Sequence, residues 1–392
     1  MGLLGVTTPS ASAATLTTVS FVESWSVGDG PQDIAVSPDG ATVYVLARAD
    51  DAIQVLDAVT GAVQQTITNV QMSDPNGMSL SPDGTNLVVT SQNTDRVLIF
   101  DTSSWSATVT SAAFDVPLHP WVSSDGQTAF ISNFSRDAVT PVAIPSGTVG
   151  ADITMPGVPG VNLVNQSDTR LFTASGMGFG FVYTTSLDAS PITTSSARPA
   201  TNGFADLLFN SDQSVIFATN GSFDRILALR ASDSTVIATS ATGDEPSQMA
   251  LASGGSSILV TLMDDNAVQI FSTSDLRSTG TFSLPFSPRY IALSPDGQRA
   301  YVTSFTSDVV MVLDVSTTVN DDPNQAPPDV MQQVERPTDG CESISRPDLN
   351  WSGVGSGGWT PSWAYWPNGG RGGDVCGRVL TYSSGQGRWG VR

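Results

Sequence analysis

One phrase recurs nearly unchanged at Ile34-Ala-Val-Ser-Pro-Asp-Gly40, Met78-Ser-Leu-Ser-Pro-Asp-Gly84 and Ile291-Ala-Leu-Ser-Pro-Asp-Gly297, and it constrains the fold more than any other feature. Weaker copies end at Gly126, Ser167, Gln213 and Gly255, so the marks fall 44, 42, 41, 46, 42 and 42 residues apart and define seven units. Each unit opens with an alternating apolar strand and turns at Pro-Asp-Gly, where glycine supplies the positive φ. It returns through a stretch such as Thr42-Val-Tyr-Val-Leu46, followed by a third strand (Ala52-Ile-Gln-Val-Leu56) and a fourth (Ala62-Val-Gln-Gln-Thr-Ile67). Four short strands per repeat of this length predict an all-β, seven-bladed β-propeller.

The last unit has three strand-like segments, ending at Val309-Val-Met-Val-Leu-Asp314, and then runs into Asn320-Asp-Asp-Pro-Asn-Gln-Ala-Pro-Pro328. Its fourth strand is missing. A strand-like stretch at residues 17 to 27 precedes the first unit with nothing else to pair with, and an unpaired outer edge invites aggregation. The N-terminal strand is therefore expected to complete blade seven.

Register survives inside the units. Eleven residues after the marks stand Asp51, Asp95, Asp137, Gly178, Asp224, Asn266 and Asp308. Because these acids recur around the ring, they read as turn residues whose carboxylates bond the backbone just ahead, not as catalysts.

The pattern from Pro31 to Gly40, followed by Val43-Tyr-Val45, Ile53-x-Val-Leu-Asp57 and Thr60-Gly61, resembles the YVTN-type β-propeller repeat. Blades one, two and seven match it closely, while blades three to six keep the spacing and lose much of the consensus. The resemblance implies a seven-bladed propeller of the kind found in bacterial surface-layer and periplasmic proteins, with lactonase-like enzymes as more distant relatives by architecture. Fold alone does not transfer their chemistry.

The remaining organisation follows composition. Residues 1–14 read as a leader whose Ala11-Ser12-Ala13 has the small-x-small form of a signal-peptidase site. Residues 15–318 form the propeller, 319–335 a Pro/Asn/Asp linker and 336–392 a tail holding 13 of the 36 glycines and five of the eight tryptophans. Cys341 and Cys376, the two cysteines of the chain, are expected to close that tail as a disulfide, stabilising it by roughly 3 to 4 kcal/mol. Export would oxidise them, and the absence of Lys beside 16 Arg reflects a GC-rich genome, so the expected location is the exterior or surface of a high-GC Gram-positive bacterium. No apolar run approaches the ~20 residues of a spanning helix, so no transmembrane segment is expected.

A formal charge of −21, concentrated before the tail, disfavours nucleic acid and anionic lipid as partners. The sequence lacks a Gly-rich phosphate loop, zinc-type Cys/His spacing and a Gly-x-Ser-x-Gly elbow, and it contains one histidine, His119.

Positions that differ between blades are free to serve a ligand. Seven residues before the marks, at the mouth of the innermost strands, stand Asp33, His119, Asp206, Gln248 and Tyr290, and one position earlier Asn76 and Arg289. These, with Trp121 as an aromatic wall, are the candidate ligand-binding residues of a central channel. Asp33, His119 and Asp206 form a candidate set for a divalent cation. The leading reading is a non-enzymatic binding or scaffold protein, with a protein or cell-envelope carbohydrate as partner. One alternative is a channel-site hydrolase, lactonase or lyase using a metal or the His119/Arg289 pair. Another is a structural surface-layer component.

Overall fold

The computed structural model describes residues 14–111, 114–176, 180–190, 192–197, 203–320, 380–383 and 388–391. The chain divides into two compact units between Pro327 and Pro328. In the first, seven four-stranded antiparallel sheets stand around a common axis, and among the described residues helix is limited to three single 3₁₀ turns. In the second, Leu380–Ser383 pairs antiparallel with Arg388–Val391. Residues 1–13, Cys341 and Cys376 lie outside the described residues, as do the leader and disulfide expected there. Among the described residues no helix is long and apolar enough to cross a membrane.

The middle of the second strand of each blade is a run of apolar residues because the blade is buried on both faces. In Thr42–Ala47, Val43 and Val45 pack with Tyr301 and Val310 of blade seven, while Tyr44 and Leu46 pack with Leu87 and Val89 of blade two. Alternation along a strand thus serves two inter-blade cores instead of one core and solvent. The outer strands lack a second neighbour, and Val63–Thr68 is largely exposed.

Blade seven is closed by the N-terminus as expected. Ala14–Ser26 runs antiparallel to Val309–Asn320, with one register shift between Phe21 and Glu23. Across the same seam the Tyr301 hydroxyl donates to the Ala58 carbonyl of blade one at 2.9 Å.

Hydrogen bonds tie the blades together on the face opposite the Pro-Asp-Gly turns. Asp51, Asp95, Asp224 and Asp308 are all left-handed, with φ near 50°. Their carboxylates accept from the N–H groups of Asp74, Val116, Glu245 and Gly30 at 2.6, 3.1, 3.1 and 3.0 Å. Each of those donors immediately precedes the proline that opens the next blade's innermost strand, and each is itself left-handed. The recurring acids are structural, but their bonds reach the next blade and not the backbone just ahead. Ser132, Thr219 and Thr261, at the threonine position of the repeat, donate to the carbonyls of Gly160, Ser247 and Arg289 in the following blades.

On the turn face, the proline of one turn packs on the glycine of the next. A Cβ on Gly84 would lie 2.7 Å from Pro38 Cδ, and one on Gly40 3.3 Å from Pro295 Cδ. Blade four departs from the sequence register. Asn165 Oδ1 accepts from Arg170 N, five residues on, as Ser37 Oγ does from Thr42 N, and Asp168 takes the left-handed position with φ 53°. The mark of blade four is therefore Asp168 and not Ser167, which moves its positions by one.

Substituting Asp308 by Ala should lower stability by about 1–3 kcal/mol, because it removes a bond across the closing seam and leaves alanine in the left-handed region. Asn should recover much of the loss, since it tolerates that conformation and keeps an acceptor. Chemical denaturation of the two variants checks the order wild type, Asn, Ala.

Candidate functional site

The channel mouth is shaped by bulges. In blades one, two, three, four and six the pairing of the first and second strands shifts just after the opening residue, at Pro31/Asp33, Pro75/Gly77, Leu118/Pro120, Pro159/Asn162 and Pro246/Met249. A bulge turns a side chain out of the regular alternation, a device common beside binding sites. Gln32, Asp33, Asn76, His119 and Gln248 all sit at these bulges. Gly77 permits close approach there, because a Cβ would come within 3.3 Å of the His119 Cα. His119 itself has φ 22°, at the margin of the left-handed region.

Asp33 and Asp206 are built alike. Asp33 accepts from its neighbour Ile34 N at 2.7 Å and from Met78 N of blade two at 2.8 Å. Asp206 accepts from Leu207 N at 2.8 Å and from Met249 N of blade six at 2.9 Å. Burial pushes both carboxyls up to about 7, against the opposing pull of those backbone N–H groups, and the charge of Asp33 raises Asp206 further. Burial lowers the His119 imidazole to about 4, with Arg289 adding to the effect, so it is neutral at physiological pH. Tyr290 is raised by burial, and Arg289 is lowered by it. Arg289 acts on Asp33, His119 and Tyr290, and Asp33 acts on Asp206, Arg289 and Tyr290, so these side chains are linked electrostatically through Arg289 and Asp33. The Arg289 guanidinium lies over the Phe305 ring at 4.9 Å and beside Tyr290 at 5.9 Å.

Two further groups stand out at the same level. Asn76 is wholly buried and Gln32 is 1% exposed. Among the described residues neither amide atom of Asn76 nor Gln32 Oε1 has a hydrogen-bonding partner. Each such group costs about 1–3 kcal/mol.

The structure thus links Asp33, His119, Asp206 and Tyr290 electrostatically through Arg289 and Asp33 at the mouth, with Asn76 and Gln248 at the bulges of the same level. It does not assemble Asp33, His119 and Asp206 into a metal site. Among the described residues no three His, Cys, Asp or Glu side chains come together in a cation-binding group. The carboxylates are directed at the backbone of adjacent blades instead. Trp121 is not an aromatic wall either, because it packs against the apolar cores on both sides of blade four.

Asn162 is a site residue the sequence reading missed. Buried in blade four, its amide donates to Ser132 Oγ at 2.9 Å and reaches the His119 carbonyl at 3.5 Å, while its Oδ1 accepts from Thr173. In the corrected register Asn162 is polar where other blades carry Ile34, Met78, Leu207, Met249 and Ile291. That contrast was the available signal, hidden by the one-residue slip.

Fold and site together define a seven-bladed β-propeller with a polar, partly titrating channel mouth. The family described as Lactonase, 7-bladed beta-propeller matches residues 9–124, a stretch that contains Asp33, Asn76 and His119. Among solved structures the chain is similar to hydrazine synthase from Kuenenia stuttgartiensis, with a TM-score of 0.63 and 15% identity over 76% of this chain and 97% of that one. At that identity the likeness shows the fold alone. No curated protein matches the chain.

The raised carboxyls predict a pH dependence. From the ordinary carboxylate value of 3.8 up to about 7, the folded protein keeps protons that the unfolded chain has released. Stability contributed by these groups is present below about pH 4 and is lost as pH rises through about 7. In the double variant Asp33→Asn, Asp206→Asn this downward slope should flatten, as read from urea midpoints across that range.

Proposed function

We propose that the protein is a non-enzymatic binding propeller whose recognition site is the channel mouth, taking a small polar molecule that carries an anionic group. The observation that carries this reading is the buried, unpartnered amide of Asn76, with the Gln32 carbonyl beside it in the ring. Unsatisfied buried amides weaken a fold, and a ligand offering both donors and acceptors would offset that cost. Arg289, held over Phe305, supplies the cation for the anionic group. An exported or cell-surface setting, with the tail as an attachment module, suits such a protein and belongs to the same proposal.

A second reading, a lactone-acting hydrolase, is favoured by the family match over residues 9–124. It also draws on the neutral His119 and on carboxyls near 7, which suit proton transfer at physiological pH.

Thermal melts with gluconate, malate and tartrate, together with hydrolysis assays on glucono-δ-lactone, separate the two. Binding predicts that a hydroxy-acid raises the Tm of the wild type and not of Arg289→Gln, with no lactone turnover above buffer. Asn76→Leu should lose the ligand-induced shift while matching or exceeding the unliganded stability of the wild type, because it removes an unsatisfied amide at similar volume. Lactone turnover that His119→Ala abolishes would overturn this reading in favour of the enzyme.

A further inference from the structure

A cleft of about 590 Å³ lies between blades four and five on the turn face, the opposite face from the channel mouth. Its character emerges when the same repeat positions are compared around the ring. In blade seven Arg299 opens the second strand, pairs across it with Asp314 at 3.9 Å, and donates to the Ala58 carbonyl of blade one. Arg170 opens the second strand of blade four and likewise donates to the Ala231 carbonyl of blade five, at 3.4 Å. The residue across from Arg170, however, is Ser186. Its counter-acid is gone.

The other wall is changed in the same sense. Opposite the first residue of the second strand stand Asp57 in blade one and Asp101 in blade two, and in blade five this position is Arg230. Two positions that carry carboxylates elsewhere in the ring have become a serine and a second arginine. No residue lining the cleft is acidic. Arg230 does meet Asp233 at 3.1 Å, but both side chains are about half-exposed, and such a pair contributes little. In a chain of formal charge −21, two guanidinium groups on one cleft are not a by-product of composition.

Two fillings of the seven–one seam are absent from this one. Gln166 replaces the turn proline that packs on the next blade, and its N–H donates to Gln213 Oε1 instead. Phe172 replaces the tyrosine whose hydroxyl closes onto blade one at the seven–one seam. Phe172 and Phe209, edge to face at 5.6 Å, form the apolar back of the cleft.

We propose that this cleft is a second binding site, for a carboxylate-bearing sugar of the uronic-acid class. The planar fork of a guanidinium matches a carboxylate, and the polar side chains of the lining, Asn165, Thr169 and Ser232, suit the hydroxyls of a sugar ring. Isothermal titration of the full chain with glucuronate, glucose and inorganic phosphate tests it. Glucuronate should bind in preference to both others. Arg170→Gln, Arg230→Asp and Ser186→Asp should each weaken it at least tenfold while melting within a few degrees of the wild type. The last of these leaves both arginines in place and restores only the missing acid. Arg289→Gln, in the channel, should leave glucuronate binding unchanged, which keeps this result separate from the fate of the channel reading. Absent glucuronate binding, glucose bound as tightly, phosphate bound more tightly, or unchanged binding in all three cleft variants would overturn the proposal.

Discussion

Everything in this molecule depends on the ring being closed. A four-stranded sheet that is apolar on both faces cannot exist alone in water, so each blade is stable only when flanked, and a row of blades leaves two apolar faces uncovered unless its ends meet. Closure is achieved by the antiparallel pairing of Ala14–Ser26 with Val309–Asn320, which ties the two ends of the propeller into one sheet. The Asp308 carboxylate on Gly30 N and the Tyr301 hydroxyl on the Ala58 carbonyl reinforce the same seam. The seam is built mostly from the devices that join the other blades, so the ring approximates a repeating structure with one strand supplied out of order.

The same residue type does opposite work at two levels of this ring. At the blade-to-blade turns, aspartate recurs in a left-handed conformation and spends its carboxylate on the next blade's backbone. At the channel mouth, aspartate occurs in blades one and five only. There it accepts from its neighbour's N–H and from one in the next blade, yet burial holds its proton to about pH 7. The difference is solvation. A channel carboxylate is surrounded by protein, which disfavours its charged form and lets it exchange a proton near neutrality. This contrast is why the proposed site is the mouth and not the ring of recurring acids.

Blade four illustrates how degeneracy becomes useful. Loss of the Pro-Asp-Gly turn removes the proline that fills the neighbouring seam, and it places Asn165 and Asp168 in the structural positions of serine and glycine. The backbone is preserved by side-chain amide bonds, and a cleft lies beside them. At the mouth, the same blade contributes Asn162, which holds the His119 carbonyl. A repeat can therefore drift in composition on both faces without losing its strands, provided each lost contact is replaced by a bond of equivalent reach.

Much of the architecture was legible in the sequence because repeat spacing and strand alternation are local properties. The spacing of Gly40, Gly84 and Gly297 counted the blades, the missing fourth strand after Asp314 demanded the N-terminal one, and the contrast between recurring and unique residues pointed to the mouth. What could not be read was direction across blades. Asp51 bonds Asp74 and not its own turn, the carboxylates of Asp33 and Asp206 are directed at neighbouring strands and not at a cation, and Trp121 faces a core instead of the channel. Asn162 escaped because a one-residue slip in a degenerate turn reassigns a whole strand. The sequence by itself determined how many blades form and which residues repeat, since both follow from the period of the chain. Only the tertiary structure decided which polar groups remain unpartnered and which face one another, because those depend on distances between residues some forty positions apart that the ring alone brings together.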